Sequence, residues 1–322
     1  MFGSAWAGRD VIKKRFEQGR PMGRRSKSSG LEGFLNLDKP AGWTSHDCIA
    51  RLRRILGEPR IGHGGTLDPA ATGVLPVAVG RATRLLRFLA DRKGYRATIR
   101  LGLTTDTDDL EGRILTEASA GAIAFDEVRS QLARFEGTIQ QVPPRYSAIR
   151  QQGVHLYDLA RRGAAIEAIA PRTVEIDELK ILGWQPGERA ELTVEVLCSA
   201  GTYIRSIARD LGAALGCGAA LAHLIRIRSG RFWIEQSLPL DQVEPQFSAG
   251  RLPMIEAAAA LDHLEIVRLP PEEAARWQLG QKIAAPGPEA AVQVQAATGQ
   301  FLGVACRQEG LLRPEVVFGP PR

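Results

Sequence analysis

Residues 60–76 read Arg60-Ile-Gly-His-Gly-Gly-Thr-Leu-Asp-Pro-Ala-Ala-Thr-Gly-Val-Leu-Pro76. Four glycines and two prolines frame one histidine, His63, and one aspartate, Asp68. Glycine allows backbone conformations closed to other residues, and proline removes freedom, so this stretch is a stiff loop rather than a helix or strand. A glycine-rich loop can cradle phosphate, but this one lacks Gly-Lys-Ser/Thr and the GxGxxG spacing. Pro69 biases Asp68 away from helical backbone angles. A carboxylate so held suits a nucleophile or a general base. An Asp-Pro pair is equally a turn starter, and the stretch alone does not choose between the two.

Outward from the loop, the pattern is mixed α/β. Residues 47–56 predict a helix with Cys48, Ile49, Leu52, Ile55 and Leu56 on one face and Ser45 as its cap. Residues 95–101 alternate, with Tyr95, Ala97, Ile99 and Leu101 on one face of a strand. Leu192, Val194, Val196 and Cys198 alternate likewise and lead through Gly201 to a helix near 203–214, with Thr202 as the expected N-cap. Arg205 lies in the first turn of that helix, where the macrodipole disfavours a cation. A carboxylate partner from elsewhere would offset this, and Asp68 is one candidate. Lys39-Pro40 ends a strand over residues 34–37, and Thr298-Gly299 joins two strands as a hairpin.

Length and composition set the class. The chain has 322 residues, with 44% hydrophobic and 24% charged, which suits a folded protein of one large or two smaller domains. No apolar run is long enough for a transmembrane helix, and residues 1–30 have no apolar signal core. The net charge of +6 comes entirely from residues 1–30, which hold eight basic and two acidic residues; the remaining 34 basic and 34 acidic residues cancel. The four cysteines, Cys48, Cys198, Cys217 and Cys306, are scattered without a CxxC pair, and buried free thiols in a reducing cytoplasm are expected. The histidines have no metal-ligand spacing, and no GxSxG is present. Arginines at 145, 150, 161, 162, 226, 228 and 231 lie near Tyr146, Tyr157 and Phe232. Such interleaving suits single-stranded RNA, where guanidinium meets phosphate and rings stack on bases, and it equally suits solvated helix faces.

Five motifs in order then carry a resemblance. They are Gly33-Phe-Leu-Asn-Leu-Asp-Lys-Pro-Ala-Gly-Trp-Thr-Ser45, Gly62–Pro76, Tyr95-Arg-Ala-Thr with Thr105-Asp-Thr-Asp-Asp-Leu-Glu-Gly112, Gln141-Val-Pro-Pro-Arg-Tyr-Ser-Ala148, and Gly201-Thr-Tyr-Ile-Arg205. Together they resemble the TruB family of pseudouridine synthases, from about Gly33 to the region of Pro314. Arg150, His155 and Ile225 depart from the family pattern.

The resemblance implies an α+β pseudouridine synthase fold: a mixed, largely antiparallel sheet with a central cleft, plus a small C-terminal β-rich, PUA-like module. Residues 31–250 would form the catalytic domain, residues 251–322 the RNA-binding module, and residues 1–30 a disordered basic extension. The implied reaction isomerises uridine-55 in the T-loop of tRNA to pseudouridine after base flipping, with no cofactor and no metal. Asp68 is implied as the catalytic aspartate, Arg205 as its ion-pair partner, and Tyr95 as the ring that stacks on the flipped uracil and assists proton removal at C5. His63 is implied to fill the vacated loop space, Tyr203 and Leu224 to line the uridine pocket, and Lys39-Pro40 to give structural support. The implied partner is the tRNA T-arm, with no membrane, no obligatory protein partner, a cytoplasmic location and a monomeric state. An RNA-binding or tRNA-folding protein without catalysis is the alternative on the same scaffold. Removing residues 1–30 is expected to weaken tRNA binding mainly at low salt, because exposed charge is screened. Binding titrations of the shortened chain across a salt series check this, and an unchanged salt dependence would refute it.

Overall fold

The computed structural model describes residues 30–147, 149–162, 164 and 167–319. The basic extension expected over residues 1–30 therefore lies outside the described residues, Gly30 excepted.

Ten strands form the first sheet. In chain order they are β1 (Gly33–Lys39), β2 (Ile61–His63), β3 (Thr72–Val79), β4 (Lys93–Leu101), β5 (Gly137–Gln141), β6 (Arg172–Gln185), β7 (Glu191–Cys198), β8 (Ala219–Ser229), β9 (Phe232–Trp233) and β10 (Leu238–Pro239). The order across the sheet is β10-β1-β3-β8-β4-β7-β6-β5, with β2 added to β3 and β9 to β8. Most pairs are antiparallel, whereas β8 meets β3, and β1 meets β10, in parallel. The mixed, largely antiparallel sheet matches the expectation from the motifs.

The alternation in β4 and β7 has the anticipated consequence. Ala97, Ile99 and Leu101 of β4, with Leu192, Val194, Val196 and Cys198 of β7, turn inward. They pack under helix α2 (Ile204–Ala214) through Ile204, Ile207, Ala208 and Leu211. Each of the valine, leucine and isoleucine side chains among them, fully buried, contributes about 1.5–3 kcal/mol. The helix comes so close to β8 that a Cβ on Gly212 would stand 2.1 Å from the Ala219 nitrogen, so a larger residue there would force the two apart.

Helix α1 (Ser45–Leu56) covers the other half of the sheet with Cys48, Ile49, Leu52 and Leu56. Its cap is Thr44 rather than Ser45: Thr44 Oγ1 accepts from Asp47 N at 3.0 Å and Thr44 N donates to Asp47 Oδ2 at 3.1 Å, a reciprocal capping box. The N-cap of α2 also shifts by one residue, from Thr202 to Tyr203, because the Thr202 hydroxyl donates to Ser199 O at 2.9 Å instead.

A five-stranded sheet follows, from β11 (Glu265–Leu269), β12 (Ile283–Ala284), β13 (Ala290–Ala296), β14 (Phe301–Gln308) and β15 (Leu311–Val317), in the order β11-β13-β14-β15-β12. The Thr298-Gly299 hairpin joins β13 to β14 as expected. Phe34 from β1 lies in one buried cluster with Val304, Val316 and Phe318, and it exchanges two 2.7 Å backbone hydrogen bonds with Ile255. The two sheets are thus joined by apolar packing as well as by chain. Cys48, Cys198 and Cys217 are buried thiols, while Cys306 is half-buried, and all four are free. No helix among the described residues is long and apolar enough to cross a membrane.

One charge is buried where β4 meets β8. Lys93 Nζ donates to Ser229 Oγ at 2.7 Å, and burial pushes the ammonium down to about 8 from its ordinary 10.5. Between those values the unfolded chain binds a proton that the folded chain has lost, so stability from this group rises with pH. Relative to Lys93→Met, the parent should gain about 2–3 kcal/mol between pH 8 and pH 10. Chemical denaturation of both proteins across that range measures the difference; a flat difference would refute a buried titrating lysine.

Candidate active site

The glycine-rich loop runs from the end of β2 to the start of β3, and it is anchored by a few backbone hydrogen bonds and by side chains from elsewhere. Gly64 N bonds Pro76 O at 2.8 Å, and Ala71 N bonds Asp68 O at 3.1 Å. Asp68-Pro69 therefore starts a turn and presents a carboxylate at the same time. Ser45 Oγ accepts from Leu67 N at 2.9 Å and donates to Leu67 O at 3.3 Å, which is the work it does in place of capping. Lys39 is fully buried at the end of β1 and donates to the carbonyls of Trp43 (2.6 Å), Pro40 (2.9 Å) and Pro69 (3.2 Å). Burial pushes its ammonium down to about 8. Lys39 thus holds the peptide that follows Asp68, which fits the structural role expected of it.

Arg205 meets Asp68 directly. Its Nη2 lies 2.9 Å from Asp68 Oδ2, with the arginine side chain 6% exposed and the aspartate 43% exposed. The guanidinium also donates to Tyr146 O at 2.9 Å and Thr107 O at 3.1 Å. A second carboxylate, Asp109 Oδ2, stands 3.7 Å from its Nε. Arg205 is the buried member of the pair, so its position is fixed by the need to keep a buried charge partnered. This resolves the unfavourable position of a cation in the first turn of α2. The geometry leaves Asp68 open to solvent on one side while its other side faces a fixed positive charge.

The start of α2 is fixed by the motif at 141–148. Gln141 Oε1 accepts from Tyr203 N at 2.7 Å, and Gln141 Nε2 donates to Tyr203 O at 3.1 Å. Ser206 Oγ and Arg209 Nη2 both donate to Val142 O at 2.9 Å. These contacts fix the head of the helix, where the Tyr203 side chain makes no capping hydrogen bond.

Tyr95 and Leu224 pack on the same buried cluster from β4 and β8, and Tyr203 is half-buried beside it at the head of α2. Burial raises the Tyr95 phenol above its ordinary value, so it is protonated at neutral pH. His63, at the end of β2, is half-buried, and its Nδ1 has no hydrogen-bond partner. Burial and the nearby Arg226 charge lower its pKa, which leaves a neutral imidazole.

The basic candidates divide. Arg145, Arg150 and Arg162 are exposed. Arg226 is 1% exposed and is not a phosphate contact: Nε donates to Val74 O at 2.7 Å, Nη2 to Gly65 O at 3.1 Å and Nη1 to Thr66 O at 3.3 Å. Arg228 lies over the Trp233 ring at 4.4 Å, and Arg231 bonds Ala259 O and approaches Asp262. Phe232 is buried and unavailable to stack on a base. The sequence reading missed Arg226, Ser45, Gln141 and Asp109 as site-building residues. Their contacts are with distant backbone or with Arg205, and no local spacing records such contacts.

Comparison with known proteins gives the family. Residues 53–204 match the family model for the TruB family pseudouridylate synthase N-terminal domain. Residues 205–263 match the tRNA pseudouridylate synthase B C-terminal domain, and residues 266–318 match Pseudouridine synthase II TruB, C-terminal. A relative from Gloeobacter violaceus named tRNA pseudouridine synthase B is 64% identical over 289 residues, covering 89% of this chain and 99% of that protein. Another of the same name from Synechococcus elongatus is 52% identical over 291 residues, covering 89% and 98%. Among solved structures, one of a Cbf5-Nop10-Gar1 complex aligns with a TM-score of 0.71 at 27% identity, covering 95% of this chain and 91% of the other. With these matches running the length of the described residues, the chain belongs to the TruB family of pseudouridine synthases.

Proposed function

We propose that the protein is a stand-alone tRNA pseudouridine synthase that acts on uridine-55 of the T-loop, with Asp68 as its catalytic group. The observation that carries this reading is the 2.9 Å pair between a buried Arg205 and a half-exposed Asp68 on a rigid loop. Relatives over 50% identical carry the same activity in their names.

The chemistry is an isomerisation. The N1–C1′ bond breaks with its electron pair leaving on the uracil ring. The ring turns, C5 bonds to C1′, the C5 proton is lost and N1 takes one up. An ionised carboxylate serves either by bonding to C1′ or by removing a sugar proton. Arg205 holds the carboxylate in place through the 2.9 Å pair. Once Asp68 is neutralised by either route, Asp109 remains near the guanidinium and keeps the buried charge from being stranded.

The target base is stacked in the folded T-loop and has to be extruded. His63, neutral and with a free Nδ1, fills the space the base leaves. Tyr95 stacks on the flipped ring with Tyr203 and Leu224 beside it. Since burial holds the Tyr95 phenol protonated, its part is stacking first; proton removal at C5 needs the phenolate, which the site disfavours. We assign residues 31–250 to catalysis and residues 251–322 to RNA contact, and we assign the protein a monomeric state.

An unmodified tRNA transcript incubated with the protein and mapped chemically for pseudouridine tests the reading. Product is expected at the T-loop uridine, and its absence with folded protein would leave only the RNA-binding alternative. Asp68→Asn should lower turnover on the order of 10⁴-fold. Its tRNA affinity should change by about fivefold or less, as expected for one half-exposed charge. Near-normal turnover in that variant would remove Asp68 from its assigned role.

A further inference from the structure

We infer that Arg226 is a positioning residue that ties the Asp68 loop and the Tyr95 ring into one rigid unit. The inference rests on the reading of Asp68 as the catalytic group. Three observations support it, and each concerns a different part of the site.

First, one guanidinium grips the loop on both sides of Asp68. Its Nη2 and Nη1 take the carbonyls of Gly65 and Thr66 before the aspartate, and its Nε takes Val74 O after it. Residues 64–71, the loop to which the first two of these carbonyls belong, have no strand ladder of their own, so their backbone acceptors need partners from elsewhere. A planar fork with five donors can serve three carbonyls at once, whereas an ammonium cannot span them.

Second, the backbone of Arg226 is equally engaged. Arg226 pairs with Gly73 in the parallel ladder between β8 and β3 and with Tyr95 in the antiparallel ladder between β8 and β4. Gly73 has φ +99°, and a Cβ there would stand 2.3 Å from Arg226 O. The loop's exit is therefore pressed against the residue that grips it. No residue but glycine fits.

Third, the side chain reaches the other functional groups. Arg226 lies on the strand position paired with Tyr95 across the β8–β4 ladder, and its charge acts on the Tyr95 phenol, His63 and Lys39. Two carbonyls of the loop and one of β3 solvate the buried charge, so the loop and the cation hold each other. A shift of Arg226 would displace Asp68 and Tyr95 together. In near-attack geometry a displacement of about 1 Å costs about 100-fold in rate.

The test compares Arg226→Lys, Tyr95→Phe and the double variant in single-turnover pseudouridine formation and in tRNA binding. Arg226→Lys should lose about 100-fold in the single-turnover rate while its tRNA dissociation constant changes less than about threefold. Its effect and that of Tyr95→Phe should be non-additive, the double variant being little worse than the poorer single one. Thermal melts identify the folded fraction to which rates are referred. If Arg226→Lys does not fold, Arg226→Gln, whose amide still reaches one carbonyl, is read in the same way. A rate per folded molecule within about twofold of the parent, a loss confined to tRNA affinity, or strict additivity with Tyr95→Phe would each overturn the inference. Asp68→Asn run in parallel separates the two claims. If Asp68→Asn is inactive and Arg226→Lys is unaffected, the inference alone fails; if Asp68→Asn is active, the reading beneath it fails.

Discussion

A carboxylate that must stay charged while half-exposed is set on a loop that has almost no regular structure, and the surrounding residues answer that constraint. Backbone carbonyls in such a loop need donors, and here buried cations supply them. Lys39 takes Pro69 O on one side of the turn, and Arg226 takes Gly65, Thr66 and Val74 from beneath. Ser45 takes both polar groups of Leu67. The strands and α1 are arranged so that these side chains arrive at one place, and the apolar clusters make those strands immovable.

Using cations for this purpose has an electrostatic consequence. Lys39, Arg205 and Arg226 raise the local positive field around a single aspartate with one further carboxylate, Asp109, nearby. Burying a charge is costly, and the lowered values of Lys39 and Lys93, both about 8, record that cost. His63 stays neutral and Tyr95 stays protonated for the common reason that burial opposes charge on both.

The sheet was legible in the sequence because its signal is local. Tyr95 to Leu101 and Leu192 to Cys198 alternate, and burial follows the alternation residue by residue. Asp68 was legible from its Asp-Pro frame, and Arg205 from a misplaced charge at a helix start. Arg226 was not, since within β8 it reads as one arginine among several, and it was grouped with candidate phosphate contacts. Its actual partners lie about 150 residues or more away in sequence and are carbonyls, which leave no mark on residue type. Ser45 misled for a related reason. A serine at a helix start satisfies the capping pattern, yet Thr44 with Asp47 satisfies it better and frees Ser45 for the loop.

Paired charges also bear on how the body of the protein meets RNA. Residues 31–322 carry no net charge, so attraction to phosphate depends on which arginines lack a carboxylate close by. Just before β4 and along it, Arg92 pairs with Glu175, Arg96 with Glu195, and Arg100 with Glu191. Those arginines are neutralised within the sheet and offer little to a phosphate. Arg145 is exposed on the segment that also supplies Tyr146 O to Arg205 and Val142 O to Arg209. An RNA phosphate drawn to that segment would load the same backbone that fixes the head of α2. The alignment of Arg205 with Asp68 thus depends on residues 141–147, the segment that also carries the exposed Arg145.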